Sequence, residues 1–499
     1  MAPSTESKRD VEKQPEVGEG ELMAQKTNVE GISEELPYDA ALEKSLRWKL
    51  DTRLLPYLAL MYLFNALDRS NLGNARTDTL EEDLGMHGNQ YLLTLMFFYV
   101  TFCGLDLPAN MLTKKVGPHL TLPTMMLGWG TTTILQASAY NWAGLLACRI
   151  FMGAFEAGFM AGIVYYLTTF YRRNELALRI CIFYGSATIA GAFSGLLAFG
   201  VFQIEGSLAG WRWLFLIEGA VTIILAIISY FWIPKDISSC RFFTEEEKVV
   251  AVRRILADSS REAEEKFSFK ACMQAIFHWR VFTNSVIALS YGIASATVGN
   301  WIPIIVRSLG YSTIKTNLYT VAPYAVGCVV LLCLCTSSDY FRERSTHLMA
   351  AMTMTFVGFI LLATMDPKEH LGVAYFACFL LTSGAFAPSA IFHTWHNNND
   401  TTENARSAVT GVMVGAANAG GIVSSLSFQE RTAPRYIPAL IAGAAFQAFG
   451  ILLIFSLASY YRWDNRKRDR AQGVKLRAGD VSTERMTGNV DDPLWRWTT

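Results

Sequence analysis

The segment Arg149-Ile-Phe-Met-Gly-Ala-Phe-Glu156-Ala-Gly158 lies inside a long apolar run, from about Trp142 to Leu167. That run exceeds the roughly 20 apolar residues that cross a bilayer, yet it carries an arginine and a glutamate. A charge at mid-membrane costs at least about 2.5–3.5 kcal/mol, so such residues usually face the interior of a helix bundle and mark functional sites. Arg149 and Glu156 are seven positions apart, and they therefore share one helix face. Small residues between them allow another helix to approach closely.

A structural alternative is that Arg149 and Glu156 form an ion pair that only locks two helices together. A second charged pair, Asp68-Arg69, stands in the first apolar run of the chain. This second pair favours a functional site, although it could instead mark the interfacial end of the first helix.

The composition is that of a polytopic membrane protein. Of 499 residues, 52% are hydrophobic and only 17% are charged, whereas a soluble protein carries about 25% charge. Net charge is zero, which gives no indication of a nucleic-acid partner. The nine cysteines form neither a disulfide framework nor a zinc spacing. No nucleophile–base pattern is present, so we expect no metal, no cofactor and no enzymatic activity.

Twelve apolar runs divide into two groups of six around a polar stretch at 235–279. The sequence therefore predicts an all-α polytopic membrane protein with a six-helix half at 46–234, a linker at 235–279 and a second six-helix half at 280–462. Residues 1–45 are expected to form a disordered tail, and residues 463–499 form a second tail. Within the linker, Thr244-Glu-Glu-Glu247 has the form of a helix-opening capping box. The spans begin and end at about 54–73, 91–112, 120–139, 142–167, 176–202, 213–233, 281–306, 318–336, 348–365, 373–395, 408–428 and 437–460.

Basic residues indicate the orientation of the chain. The basic turns at 114–115, 172–173, 342–344 and 462–470 all fall on one side of the predicted membrane. Short loops rich in Lys and Arg stay in the cytosol, so both tails and the linker are expected there. We expect the plasma membrane as location, with a vacuolar or other endomembrane as the alternative.

Two six-helix halves joined by a long linker resemble the major facilitator superfamily. The turn Asp339-Tyr-Phe-Arg342-Glu-Arg344 matches the charged cytosolic loop that this superfamily repeats in both halves, and Lys114-Lys115-Val-Gly117 is a degraded copy. The resemblance implies the major facilitator fold, and it implies that Asp339, Arg342 and Arg344 belong to a cytosolic gating loop.

Within the superfamily, the chain from about Leu54 to Arg462 looks like the anion:cation symporter family, in particular its fungal allantoate, nicotinate and vitamin permease branch. In that family the arginines of spans one and four hold an organic anion, and the adjacent carboxylates titrate with the coupled proton. The resemblance thus implies Arg69 and Arg149 as anion ligands and Asp68 and Glu156 as proton sites. The matching segments are Leu67-Asp-Arg-Ser-Asn-Leu-Gly-Asn-Ala75, Arg149 to Gly158, Thr168 to Glu175 with Arg179, Gly210-Trp-Arg-Trp213, Phe243 to Glu247 and Asn300-Trp-Ile-Pro303.

Two departures from the family pattern bear on the substrate. Asp106 stands where the fungal branch usually has a glutamate before Leu-Pro. Asn300 lies near the position where some anion transporters carry a third arginine, so a polyanionic substrate is disfavoured.

Other residues are weaker candidates for the substrate site. Trp301 and Trp395 are candidates for packing against the body of the substrate, and Asn300 and Asn398 for bonding its polar groups. The alternative for all four is a structural role in the helix bundle.

The sequence therefore predicts a monomeric, proton-coupled symporter that imports a small carboxylate, such as nicotinate, allantoate or a vitamin or sugar acid. Its partners are that anion, the proton and the lipid bilayer. The main alternative is a proton-antiporting exporter of a metabolite or drug, although the glycines of span five lack the proline that is typical of such antiporters. A transport-dead nutrient sensor is a further alternative.

Overall fold

The computed structural model describes residues 40–171, 173–259, 269–367, 369–400, 403–474 and 495–499. Residues 1–39 of the expected first tail, 260–268 of the linker and 475–494 of the second tail lie outside the described residues. Every regular element in the described part of the chain is a helix.

The described residues contain twelve helical spans, and two of these spans are interrupted. In order they are Leu55–Thr77, Gln90–Val116, Pro118–Ala137, Trp142–Glu156 with Phe159–Thr168, Arg173–Val201, Gly210–Trp232, Trp279–Ser308, Thr313–Phe341, Ser345–Thr364, Leu371–Ala385 with Ala387–Asn398, Glu403–Ser427 and Ile437–Gln472. Among the described residues, ten spans are long and apolar enough to cross a membrane. Spans one and three have 23 and 20 residues but are more polar. The predicted all-α, polytopic membrane fold is confirmed.

The helix packing repeats itself between the two halves. Span one packs on span five, two on four, and three on six. Adding six to each number gives the pairs seven–eleven, eight–ten and nine–twelve, which also form. The halves meet through spans one and seven, two and eleven, and five and eight. This arrangement leaves a central seam that is bordered by both halves.

Span four breaks directly after the segment that carries Arg149 and Glu156. Gly158 adopts the left-handed backbone conformation, with φ of 74°, which glycine adopts at no steric cost. A Cβ at this position would also lie 2.8 Å from the Cβ of Ala109. The amide of Gly158 donates to Asp106 Oδ1 at 2.9 Å. Asp106 therefore satisfies a backbone donor at the start of the second half of span four.

The linker helix Glu245–Ser259 packs on the short helix Ala40–Lys49 that precedes span one. The Thr244 amide donates to Glu247 Oε2 at 2.9 Å, and the Glu247 amide donates back to Thr244 Oγ1 at 3.3 Å. The predicted capping box is thus confirmed. The same carboxylate accepts hydrogen bonds from Lys49 Nζ at 2.7 Å and Ser45 Oγ at 2.8 Å. Glu247 therefore ties the linker to the N-terminal half.

The last five residues, Trp495–Thr499, dock on the tail side of the C-terminal half. The ring of Trp497 stacks on Tyr461 of span twelve, with ring centroids 4.7 Å apart. The Thr498 carbonyl accepts from Trp395 Nε1 of span ten at 2.9 Å. The Thr499 carbonyl accepts from the Arg344 amide at 2.7 Å. This segment therefore connects spans ten and twelve with the loop that precedes span nine.

Replacing Glu247 is expected to loosen the linker in a pH-dependent way. Burial would raise the pKa of the Glu247 carboxyl, but hydrogen bonds from Lys49, the Thr244 amide and Ser45 outweigh burial and lower that pKa. The stabilisation is therefore present above the unfolded-state pKa of about 4.3, and it is lost as pH falls through the folded-state pKa. Hydrogen bonds to a charged group contribute about 1.5–3 kcal/mol.

We expect Glu247→Gln to lower the unfolding temperature of the detergent-purified protein at pH 7, and the deficit to shrink below about pH 4. The exposed neighbour Glu246 supplies the matched control, because Glu246→Gln removes the same charge from the same helical turn. Equal unfolding temperatures for the two variants at pH 7 would contradict this account.

Candidate functional site

A central cavity lies at the seam between the two halves, bordered by spans one, two, four and five on one side and seven, eight, ten and eleven on the other. Arg69 is the one permanently charged side chain among the described residues that line it. Other polar lining residues are Tyr62, Asn65, Ser70, Tyr99, Tyr184, Tyr291, Ser295, Asn300, Tyr324, Ser389, His393 and Asn418. The cavity thus offers one fixed positive charge among aromatic and neutral polar groups.

Arg69 faces the cavity while paired with a buried carboxylate. Its side chain is 24% exposed, and its Nη2 lies 2.7 Å from Glu156 Oε2. Nε of the same guanidinium donates to that oxygen at 3.1 Å. The rings of Phe98 and Phe102 lie 5.5 and 4.9 Å from the guanidinium carbon. The pair therefore joins span one to span four within a largely apolar surround.

Arg149 and Asp68 lie deeper in the N-terminal half and do not line the cavity. Nε and Nη2 of Arg149 are buried without a hydrogen-bond partner among the described residues. Asp68 Oδ2 accepts from Trp129 Nε1 at 3.2 Å and from Thr222 Oγ1 at 3.0 Å. Arg69 of span one is therefore paired with Glu156 of span four. Among the described contacts, Arg69 forms no hydrogen bond with Asp68, and Arg149 forms none with Glu156.

Sequence reasoning missed Glu218 in span six. Its side chain is 1% exposed, and neither carboxyl oxygen has a hydrogen-bond partner in the described part of the chain. Electrostatic interactions connect it to Asp68 and Arg149. An acidic residue inside an apolar run was the available signal, and it is the same signal that identified Glu156. The tyrosines and His393 of the lining carried no comparable signal, because aromatic residues are common in any bundle.

Of the weaker candidates, the structure brings Asn300 to the cavity and leaves the others away from it. Asn300 Nδ2 donates to Tyr99 OH of span two at 2.9 Å, so it also bridges the two halves. Trp301 is 1% exposed and stacks on Phe428, with ring centroids 4.2 Å apart. Trp395 is buried against the C-terminal segment, and Asn398 is half-buried outside the lining.

The predicted gating loop after span eight forms a charged turn. Arg344 Nη1 lies 2.5 Å from Asp339 Oδ1. Arg342 ends span eight in the left-handed conformation, with φ of 51°. Glu343 accepts from Arg462 Nη2 of span twelve at 2.7 Å. The turn thus ties spans eight and twelve together on the tail side, and its gating role stays a prediction.

The opposite end of the bundle, remote from the tails, is closed by contacts between the halves. Arg307 Nη1 donates to the carbonyl of Arg76 at 2.9 Å, and Thr313 Oγ1 donates to the carbonyl of Thr77 at 2.9 Å. Deeper in, span one crosses span seven so closely that a Cβ on Gly73 would lie 2.7 Å from the Asn300 carbonyl oxygen. This far end therefore seals the cavity on that side.

The sequence matches the Major Facilitator Superfamily over residues 58–425. The MFS-type transporter efuF of Hormonema carpetanum is 61% identical over 461 residues, covering 92% of this chain and 93% of that protein. The major facilitator-type transporter hxnP of Emericella nidulans is 44% identical, covering 98% of each chain. The high-affinity nicotinic acid transporter of Saccharomyces cerevisiae is 28% identical, covering 90% of this chain and 83% of that protein. These relatives are transporters rather than enzymes.

Among solved structures, a bacterial homologue of the human lysosomal transporter Spinster in an inward-facing, unoccupied conformation is similar to this chain. The TM-score is 0.60 at 15% sequence identity, covering 85% of this chain and 99% of that one. At this identity the likeness shows the fold alone.

The close crossing at Gly73 predicts how the far end can be opened. Gly73→Ala adds a Cβ that must displace the Asn300 carbonyl, so it should shift the protein toward states in which the far end is separated. Gly299→Ala is the matched control, because it lies in span seven and no atom lies within 4 Å of its added Cβ. Both changes favour helix by a similar amount.

The measurement is the distance between spin labels on the exposed residues Glu82 and Lys315, in a background without native cysteines. Longer distances are expected for Gly73→Ala alone. The same distance distribution in both variants would contradict the proposed closure.

Proposed function

The chain belongs to the Major Facilitator Superfamily, and we propose that within it this protein is a proton-coupled symporter that imports a small organic anion by alternating access. The observation that carries the proposal is the Arg69–Glu156 ion pair at the wall of the central cavity. It combines a cation that can hold an anion with a carboxylate that can bind a proton.

Coupling follows from competition for one guanidinium. Arginine presents a planar fork of donors that matches a carboxylate in two directions. A substrate carboxylate that enters the cavity can take the place of Glu156 on Arg69. The Glu156 carboxyl would then be buried without its counter-charge, which is costly unless it gains a proton. Anion binding and proton uptake therefore favour each other, and release of either favours release of the other.

The lining suggests a monoanion with a flat or polar body. One guanidinium faces the cavity, and the C-terminal half contributes neutral groups such as Tyr291, Ser389 and Asn418. Tyrosine rings can pack on a ring or a planar group, while their hydroxyls and the asparagine amides can bond polar substituents. A small carboxylate such as nicotinate fits this chemistry, and one relative is named as a nicotinic acid transporter.

The direction of transport depends on orientation. We propose that both tails are cytosolic, since the basic loops lie on their side, and that the closed far end faces outward. The membrane is then the plasma membrane or an endomembrane of the same polarity. If a C-terminal tag can be labelled in intact, unpermeabilised cells, the proposed orientation is wrong.

Arg69→Lys is expected to abolish or greatly weaken uptake while the protein remains in the membrane, because a lysine ammonium cannot reproduce the fork. Arg149→Lys should also weaken uptake, because it replaces a buried guanidinium that interacts electrostatically with Asp68 and Glu218. Uptake of a panel of labelled carboxylates, nicotinate included, is measured in cells that lack endogenous carriers.

Arg431→Lys is the control for this pair of substitutions, because Arg431 is exposed in the loop between spans eleven and twelve. Normal uptake kinetics from a correctly localised Arg69→Lys protein would remove Arg69 from the substrate site.

Glu156→Gln is expected to lose proton-driven accumulation and to retain substrate exchange. Glutamine mimics the protonated acid, so Arg69 stays free to bind the anion while the coupling proton has no site. Reconstituted vesicles with an imposed pH gradient measure accumulation, and preloaded vesicles measure exchange. Unimpaired accumulation by Glu156→Gln would exclude Glu156 as the coupling site, and accumulation driven only by an outward proton gradient would favour an exporter.

A further inference from the structure

One face of span six is directed at the buried charges of the N-terminal half. Phe215, Glu218 and Thr222 occupy positions i, i+3 and i+7, which lie on one side of a helix. All three are buried. The Phe215 ring lies 5.9 Å from the guanidinium carbon of Arg149, and Thr222 Oγ1 donates to Asp68 Oδ2 at 3.0 Å. Glu218 therefore lies between Arg149 and Asp68.

Asp68 and Glu218 differ in the number of hydrogen bonds that they receive. Asp68 receives hydrogen bonds from Trp129 and Thr222, which favour its carboxylate form. Neither oxygen of Glu218 has a partner among the described residues. An ionised carboxylate in such a place has lost its hydration without replacement, so the neutral acid is favoured there.

The charged surroundings of Glu218 are limited. Span six packs on spans one, three and five, and span one contributes Asp68 and Arg69. The charged residues of spans three and five stand at their tail-side ends, remote from Glu218. Arg149 of span four is the nearby cation. Together with Glu218, the nearby charged groups are Arg69, Arg149, Asp68 and Glu156. This set holds three carboxyl groups but only two arginines.

We propose that Glu218 is a proton-binding residue of this site, which holds a proton in the substrate-free protein and exchanges it with Asp68. In the resting arrangement Glu156 balances Arg69, Asp68 balances Arg149, and Glu218 is neutral. When the two side chains come within hydrogen-bonding distance, the proton passes from the Glu218 acid to the Asp68 carboxylate, and the Glu218 carboxylate then balances Arg149 instead. No bond other than the O–H bond changes, and the charge of the set is conserved.

This inference rests on the proposed function for its place in transport. With one resident proton, the five groups carry no net charge. A bound monoanion adds one negative charge, which one further proton offsets. One net proton would then accompany each monoanion, and the Asp68–Glu218 pair would supply a proton path that does not cross the anion cavity.

The test is infrared spectroscopy of the purified, substrate-free protein at neutral pH, which detects the carbonyl stretch of a protonated carboxylic acid. Glu218→Gln should remove one such band. Asp68→Asn should also remove it, because Glu218 must then ionise to balance Arg149. Glu246→Gln on the linker surface should leave the band in place. A band that persists in both Glu218→Gln and Asp68→Asn would overturn the proposal.

Unfolding temperatures provide a second test, which still applies if one of the variants is less stable. The unfolding temperature of the double variant Asp68→Asn/Glu218→Gln should fall by more than the sum of the two single losses, since only the double variant leaves Arg149 without a counter-charge. Additive losses would overturn the exchange of roles between the two acids. If no carboxylate in the panel is taken up, the proposed function is overturned. The proposal for Glu218 would still stand, because neither the infrared nor the unfolding measurement requires transport.

Discussion

The ion pair between Arg69 and Glu156 is the interaction on which the organisation of the site depends. A guanidinium in a membrane-embedded bundle needs a counter-charge, and span four supplies it from the residue just before its helix breaks. The break at Gly158 is in turn stabilised by Asp106 of span two. These two contacts together fix the relative placement of spans one, two and four at the wall of the cavity.

The symmetry of the fold and the asymmetry of the site have separate physical origins. Helix pairing repeats between the halves because each half buries its apolar faces in the same way. The intramembrane charges, in contrast, are gathered in the N-terminal half, and the described C-terminal lining is neutral apart from the ionisable His393. One half therefore holds the groups that can carry charge, while the other supplies shape, neutral hydrogen bonds and the contacts that close the far end.

Much of this arrangement could be predicted from the sequence, because lipid imposes strong rules on it. The apolar runs predicted the spans, and the rarity of charges within them identified Asp68, Arg69, Arg149 and Glu156. The same rule also identifies Glu218, the acidic residue inside span six. The partner of Arg69 could not be predicted, since it depends on how spans one and four meet. Trp301 and Trp395 show a similar limit, because a buried ring carries no mark of whether it faces a cavity or a neighbouring helix.

The docked segment Trp495–Thr499 bears on how the C-terminal half moves. Its backbone carbonyls bond to span ten and to the loop before span nine, while Trp497 covers span twelve. Spans nine, ten and twelve are separate helices, and without a cross-link on the tail side each could tilt independently of the others. The docked segment links these helices, so that they should move together as one rigid body. A rocking motion about the central seam would then move the whole C-terminal half rather than bend single helices.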